Sequence, residues 1–402
     1  MSVAVVGIGA DGWTGLNAAA QAAVLSATTI IGSERQLALV PDTPATRRPL
    51  PSPLNPLLDE LAANAHGAVC VLASGDPMLH GIGATLARRL GPERLRVHVH
   101  PSAFALTCAR LGWPAAEVEL VSAVARAPEV IARVLQPRRR FVAYVTGPAG
   151  ARTVARVLAD RGFGPSRLVV LERLGAANER ITATTASAFD AEADPLHAVA
   201  VEVVAAPGTP VHALVPGLPD DAYETDGQLT KRHVRACTVA ALAPTPGAHL
   251  WDVGAGSGSI AIEWLRAEPT ATATAIEPRD ERADRVVRNA LRLGVPDRLA
   301  VVRGRAPEAL DGLPEPTAVF VGGGTTAPGM IERCWQALHA GGRIVANAVT
   351  LEGEQALVAA HAARGGGLVR LEIAHAAPLG DFSGWRPQMP VVQWSATKAT
   401  GA

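Results

Sequence analysis

Short apolar runs alternate with longer helical patterns along the whole chain. Runs at 3–6, 68–72, 141–145 and 168–171, and again at 249–253, 273–276, 299–302, 318–321 and 343–346, have strand length and near-continuous hydrophobicity. A strand with one wet face would alternate. An uninterrupted run suits a parallel strand buried on both faces. Parallel strands need crossovers, and the intervening helical patterns supply them, so the fold class is α/β. Residues 206–227 break this rhythm: proline, glycine and acids dominate, and no helical period survives. The pattern predicts a first domain at 1–205, a linker at 206–227 and a second domain at 228–396.

Composition narrows the partners. The 37 basic and 37 acidic residues cancel, so the chain lacks the broad positive field that favours nucleic acid. Lys231 and Lys398 are the only lysines, and alanine, glycine and proline are abundant. The arginine excess therefore reads as compositional bias, and a lone arginine carries little weight. The four cysteines stand far apart, and His80, His98 and His100 have no acidic or cysteine partner at ligand spacing. No metal site is expected. No basic leader precedes the first apolar run, and no run is long enough for a bilayer. The expectation is a cytoplasmic protein with no membrane contact.

The sharpest chemical signal lies at 250–265, LWDVGAGSGSIAIEWL. An apolar strand ends at Asp252 and Val253. Gly254, Ala255, Gly256, Ser257 and Gly258 follow, and a helical pattern begins. Alternate glycines let the backbone turn sharply and approach a ligand, and a helix N-terminus beyond them offers free N–H groups. The spacing departs from the dinucleotide fingerprint, since the third glycine comes one residue early. Glu277 ends the next strand, where an acid can accept from ribose hydroxyls. Together these features resemble the S-adenosylmethionine (SAM) core of class I methyltransferases. That resemblance would set Asp252 near the methionine part and Glu277 on the ribose. The segment after the fourth strand carries bare glycine, Gly322 to Gly324, which leaves room for a bulky substrate. Upstream, Thr230 is a candidate N-cap, and Lys231 and Arg235 fall on one helical face. Spacing alone favours a solvated face.

The order TKRHVR, WDVGAGSGSIAIEW, AIEP, RGRAPEAL and PEPTAVFVGGG is similar to the decarboxylating precorrin methyltransferase family of cobalamin biosynthesis. The resemblance implies SAM contacts from Thr230, the glycine loop, Glu277 and Ala306. It also gives Lys231 and Arg235 a purpose, because a precorrin carries many carboxylates.

The first half opens with Gly7, Gly9 and Gly12 after a strand, which alone would suggest a dinucleotide site with Glu34 on the ribose. Later segments point elsewhere. Ser74, Gly75, Asp76 and Pro77 follow a strong strand; then come 101–105, Thr146-Gly147-Pro148 and Glu172-Arg173-Leu174-Gly175. This order resembles the tetrapyrrole methylase family, whose fold has two α/β subdomains. The resemblance places SAM in their cleft, touched here by Ser74, Gly75 and Asp76. Asp76 alone could equally be a turn residue. The two resemblances imply a SAM-dependent, bifunctional C-methyltransferase: an N-terminal tetrapyrrole methylase fold and a C-terminal Rossmann-like methyltransferase, one SAM each. The implied reaction methylates precorrin-6B at carbons 5 and 15 and removes carbon dioxide from a ring acetate, giving precorrin-8. The expected partner is a small tetrapyrrole, and a homo-oligomer is expected. No catalytic acid or base is identified. The alternatives are an RNA methyltransferase, an NAD-dependent oxidoreductase and a SAM sensor.

Overall fold

The computed structural model describes residues 2–63 and 67–400. It divides into two compact units, Met1–Pro128 with Val134–Pro210, and Glu129–Arg133 with Val211–Ala402.

The first unit holds two five-stranded sheets. β1 (Val3–Ile8), β2 (Thr29–Gly32), β3 (Thr46–Pro49), β4 (Val69–Ser74) and β5 (Leu95–His98) pair in parallel in the order β3-β2-β4-β1-β5. β1 and β4 are the apolar runs buried on both faces, as a central parallel position requires. The second sheet joins β6 (Val118–Ser122), β7 (Arg140–Tyr144), β8 (Arg167–Glu172), β9 (Arg180–Thr185) and β10 (His197–Glu202) in the order β6-β7-β10-β8-β9. Only β6 and β7 are parallel there; the other pairs are antiparallel. A wholly parallel reading therefore fails for this sheet.

The second unit is a seven-stranded sheet. β11 (His249–Val253), β12 (Thr272–Glu277), β13 (Leu299–Arg303), β14 (Ala318–Val321) and β15 (Arg343–Ala348) are parallel. β16 (Gly367–Leu371) and β19 (Val391–Thr397) complete the order β13-β12-β11-β14-β15-β19-β16, with β19 antiparallel to both neighbours. β17 (Ala374–Leu379) and β18 (Phe382–Pro387) form a separate hairpin. From β11 the chain crosses outward to β12 and β13, then returns to the other side for β14. The crevice between the carboxyl ends of β11 and β14 is thus the topological switch point, where open α/β sheets bind ligands.

The stretch expected to be a linker is more ordered than its composition suggests. From Val211 it belongs to the second unit, and Leu218, Ala222 and Tyr223 are buried in its core. Prolines and glycines there set turns, and the few apolar residues anchor them. Among the described residues, no helix is long and apolar enough to cross a membrane.

Candidate functional site

All three glycines after β11 have positive φ: +75° at Gly254, +60° at Gly256 and +75° at Gly258. A side chain would be strained at each, and two positions are also crowded. A Cβ on Gly254 would lie 2.9 Å from the Gly323 nitrogen, and one on Gly258 would lie 2.8 Å from Val286 Cγ1. The loop after β14 therefore lies against the loop after β11. Gly254 and Ala255 N–H groups donate to the Ile276 carbonyl at 3.0 and 3.2 Å. Gly256 N donates to Glu277 Oε2 at 2.9 Å, and Arg279 N to Glu277 Oε1 at 3.1 Å. Glu277 is thereby fixed at the cavity wall, and each carboxylate oxygen can still accept from a ligand.

This loop opens on a cavity of about 1100 Å³. Thr230, Lys231, Gly254, Ala255, Gly256, Ser257, Glu277 and Ala306 all line it. Gly258 does not; it starts the helix Ser259–Ala267 as its left-handed N-cap. Asp252 does not line it either, which corrects the expectation that it meets a ligand. It is 1% exposed, and its Oδ2 accepts from Ala261 N at 3.1 Å, bracing the first turn of that helix. Burial pushes the Asp252 carboxyl up to about 7; the Ala261 N–H opposes the shift and the Glu277 charge adds to it.

Arg235 is a second correction. It does not reach the cavity: it is fully buried, with Nε donating to Glu263 Oε1 at 2.6 Å and its other nitrogens to the Thr230 and Leu218 carbonyls. Glu263 also accepts from Gly217 N, Leu218 N and the Tyr223 hydroxyl. Spacing revealed that Lys231 and Arg235 belong to one stretch, but Lys231 is the N-cap of the helix Arg232–Leu242 and stays exposed, whereas Arg235 points inward. Thr230 is consequently not the cap. Asn289, fully buried, donates to the Glu224 and Ser257 carbonyls at 2.9 Å, tying the incoming strand of chain to the glycine loop.

Sequence reading gave no role to several cavity residues, Arg279, Arg305 and Asn347 among them. Arg279 and Arg305 line the cavity, are exposed like Lys231, and make no ion pair among the described residues, whereas neighbouring Arg282 is paired with Asp226 at 2.8 Å. Both flank motifs already legible, which was the available signal. Asn347, the penultimate residue of β15, had none.

In the first unit, Ser74 ends β4, and its hydroxyl accepts from Arg35 and Gln36 at 2.9 and 3.1 Å. Gly75 follows with φ +60°, and Asp76 Oδ1 accepts from Met78 N at 2.8 Å, a turn contact. The opening glycines have packing reasons of their own. A Cβ on Gly7 would lie 2.0 Å from the Gly75 carbonyl oxygen, and one on Gly9 would lie 2.6 Å from His100 Cε1. His100 Nε2 in turn meets Asp11 Oδ2 at 3.1 Å. The segment that follows is a 3-10 turn, Gly12–Gly15, so this loop does not present an α-helix N-terminus as a dinucleotide site does. Across the same unit, the Tyr144 hydroxyl accepts from Phe104 N at 2.9 Å, and its ring meets His80 edge-on.

Two family models match the chain: Tetrapyrrole (Corrin/Porphyrin) Methylases over residues 2–190, and the Precorrin methyltransferase domain over residues 221–398. The precorrin-6Y C(5,15)-methyltransferase [decarboxylating] of Sinorhizobium sp is 46% identical over 397 residues, 98% of this chain and 96% of that one. Two shorter relatives also match. The cobalt-precorrin-7 C(5)-methyltransferase of Salmonella typhimurium is 34% identical over 188 residues, 47% of this chain and 92% of that one. The probable cobalt-precorrin-6B C(15)-methyltransferase (decarboxylating) of Pyrobaculum calidifontis is 38% identical over 149 residues, 36% of this chain and 76% of that one.

Proposed function

Because the chain belongs to the precorrin-6Y C(5,15)-methyltransferase (decarboxylating) family, we propose that it converts precorrin-6B to precorrin-8 with two molecules of SAM. It is a SAM-dependent, decarboxylating C-methyltransferase of cobalamin biosynthesis. The observation that carries the reading is the likeness across 98% of the chain, with both domains matched.

The C-terminal cavity supports a SAM site. Its glycine loop is bare of side chains where a ligand would lie, Glu277 keeps acceptor capacity, and the helix Ser259–Ala267 points its N-terminus at the loop. Thr230, Ala255, Ser257 and Ala306 are assigned to the same pocket, with Gly258 setting the helix start and Asp252 acting from behind it. In the first domain Ser74, Gly75 and Asp76 are assigned to a second SAM. Bound SAM supplies an electrophilic methyl group. The protein's part is to hold a nucleophilic macrocycle carbon in line with that methyl and to exclude water. Lys231, Arg279 and Arg305 are free to bind the substrate's carboxylates at the cavity. The chain residues assigned here bind and orient; none is assigned a proton transfer.

The two shorter relatives support a division of labour. Their names separate C(5) methylation from C(15) methylation with decarboxylation, and the first matches over 188 residues, close to the span of the tetrapyrrole methylase domain. We assign C(5) to the N-terminal domain, and C(15) with decarboxylation to the C-terminal one. Mass spectrometry of the product from purified full-length protein, precorrin-6B and excess SAM tests the reading. The expected product has gained two methyls and lost one carbon dioxide. Unchanged substrate with folded protein would overturn it.

A further inference from the structure

Asn347 is held by a hydrogen-bond relay that fixes which way its amide faces. The Thr238 hydroxyl gives its single proton to the Val234 carbonyl at 2.8 Å. It can therefore only accept from its other neighbours. Those are Asn347 Nδ2 and Gln393 Nε2, both at 3.0 Å. Gln393 Nε2 also donates to Asn347 Oδ1 at 2.9 Å. Asn347 and Gln393 face each other directly across β15 and β19, and Gln393 and Thr238 are buried. The amide cannot flip without setting N–H against N–H at Gln393 and oxygen against oxygen at Thr238. One N–H of Asn347 and one lone pair of its carbonyl remain, and Asn347 lines the cavity.

Its place in the sheet separates it from the cofactor residues. Glu277 ends β12, on one side of β11; Asn347 is the penultimate residue of β15, on the other side and beyond β14. Three strand spacings, roughly 14 Å, lie between their strands. The cavity wall shared with Asn347 includes Phe320, Met330, Val349 and Val391, all uncharged. A neutral donor in such a wall can orient an anionic group without a full opposite charge. Resting on the function proposed above, we propose that Asn347 contacts the substrate, its remaining N–H donating to an acetate or propionate carboxylate of the tetrapyrrole. Thr238 and Gln393 are the positioning residues that aim it.

The test uses full-length protein, precorrin-6B and SAM. Asn347→Asp replaces the donor by an anionic acceptor. It should raise KM for precorrin-6B about tenfold or more, while the Kd for SAM stays within about twofold. Thr238→Val, which frees the amide without touching the cavity, should raise the same KM, and Thr238→Ser should restore it. If Asn347→Asp does not fold, Asn347→Ser is read the same way. Wild-type turnover with an unchanged KM in the folded Asn347 variant overturns this contact and leaves the proposed function standing. Absence of wild-type turnover overturns both.

Discussion

Asp252 carries a charge problem that its neighbours only partly solve. It is fully enclosed, one oxygen has a backbone N–H partner, and Oδ1 has none among the described residues. Its carboxyl moves from 3.8 up to about 7, so between those values the folded state holds a proton that the unfolded chain has released. Folding is then favoured at low pH, and this contribution is lost as pH rises from about 4 through 7. The full shift corresponds to at most roughly 4 kcal/mol. Asp252→Asn keeps an acceptor for Ala261 N and removes the titration. The midpoint of the C-terminal thermal transition, measured for both proteins from pH 5 to 8, should fall less in the variant, and its advantage should grow with pH. Parallel curves would refute the assignment. Residue identity alone revealed an acid at a strand end; that it turns away from the cavity depends on Ala261, nine positions on, and was not legible.

At the scale of elements, legibility followed burial on two faces. β11 and β14 were read to their last residue, because continuous apolar sequence and central parallel pairing coincide. β9 is almost wholly exposed, and β17 and β18 present mostly exposed positions, so no hydrophobic pattern marked them. β19 includes buried Gln393, whose partners lie far away in sequence. The glycine loop was legible because positive φ demands glycine itself, whereas the Arg235–Glu263 pair was not, because helical spacing assigns residues to a face without saying which way it turns. That pair joins the segment before the helix Arg232–Leu242 to the helix Ser259–Ala267. Removing one partner leaves the other charge buried. Arg235→Met should cost about 3 kcal/mol or more in denaturant unfolding of the C-terminal unit. The double variant Arg235→Met/Glu263→Met should lose less than the sum of the single losses. Strict additivity would mean the two side chains are not coupled.

At the scale of the molecule, two methyltransferase domains on one chain raise the question of whether the reactions proposed for them are separable. Each candidate site is built from residues of its own unit, and each has a glycine that cannot accept a branched side chain. Gly254 has φ +75°, with the Gly323 backbone 2.9 Å from any Cβ; Gly75 has φ +60°, with Ser102 Cα at 3.1 Å. Gly254→Val should disable the C-terminal site, and Gly75→Val the N-terminal one, while circular dichroism keeps the signature of two folded units. With precorrin-6B and SAM, Gly75→Val protein should yield a product with one added methyl and one lost carbon dioxide. Gly254→Val protein should yield no decarboxylated product. If methylations must occur in order, one variant alone stalls, yet an equimolar mixture should restore the doubly methylated product, because an intermediate released by one chain can be completed by the other. Restoration would establish two independent centres linked only by substrate. Failure of the mixture, with each variant folded and its intact domain still binding SAM, would mean that the intermediate does not leave the chain on which it forms, and that fusion serves transfer between the two centres.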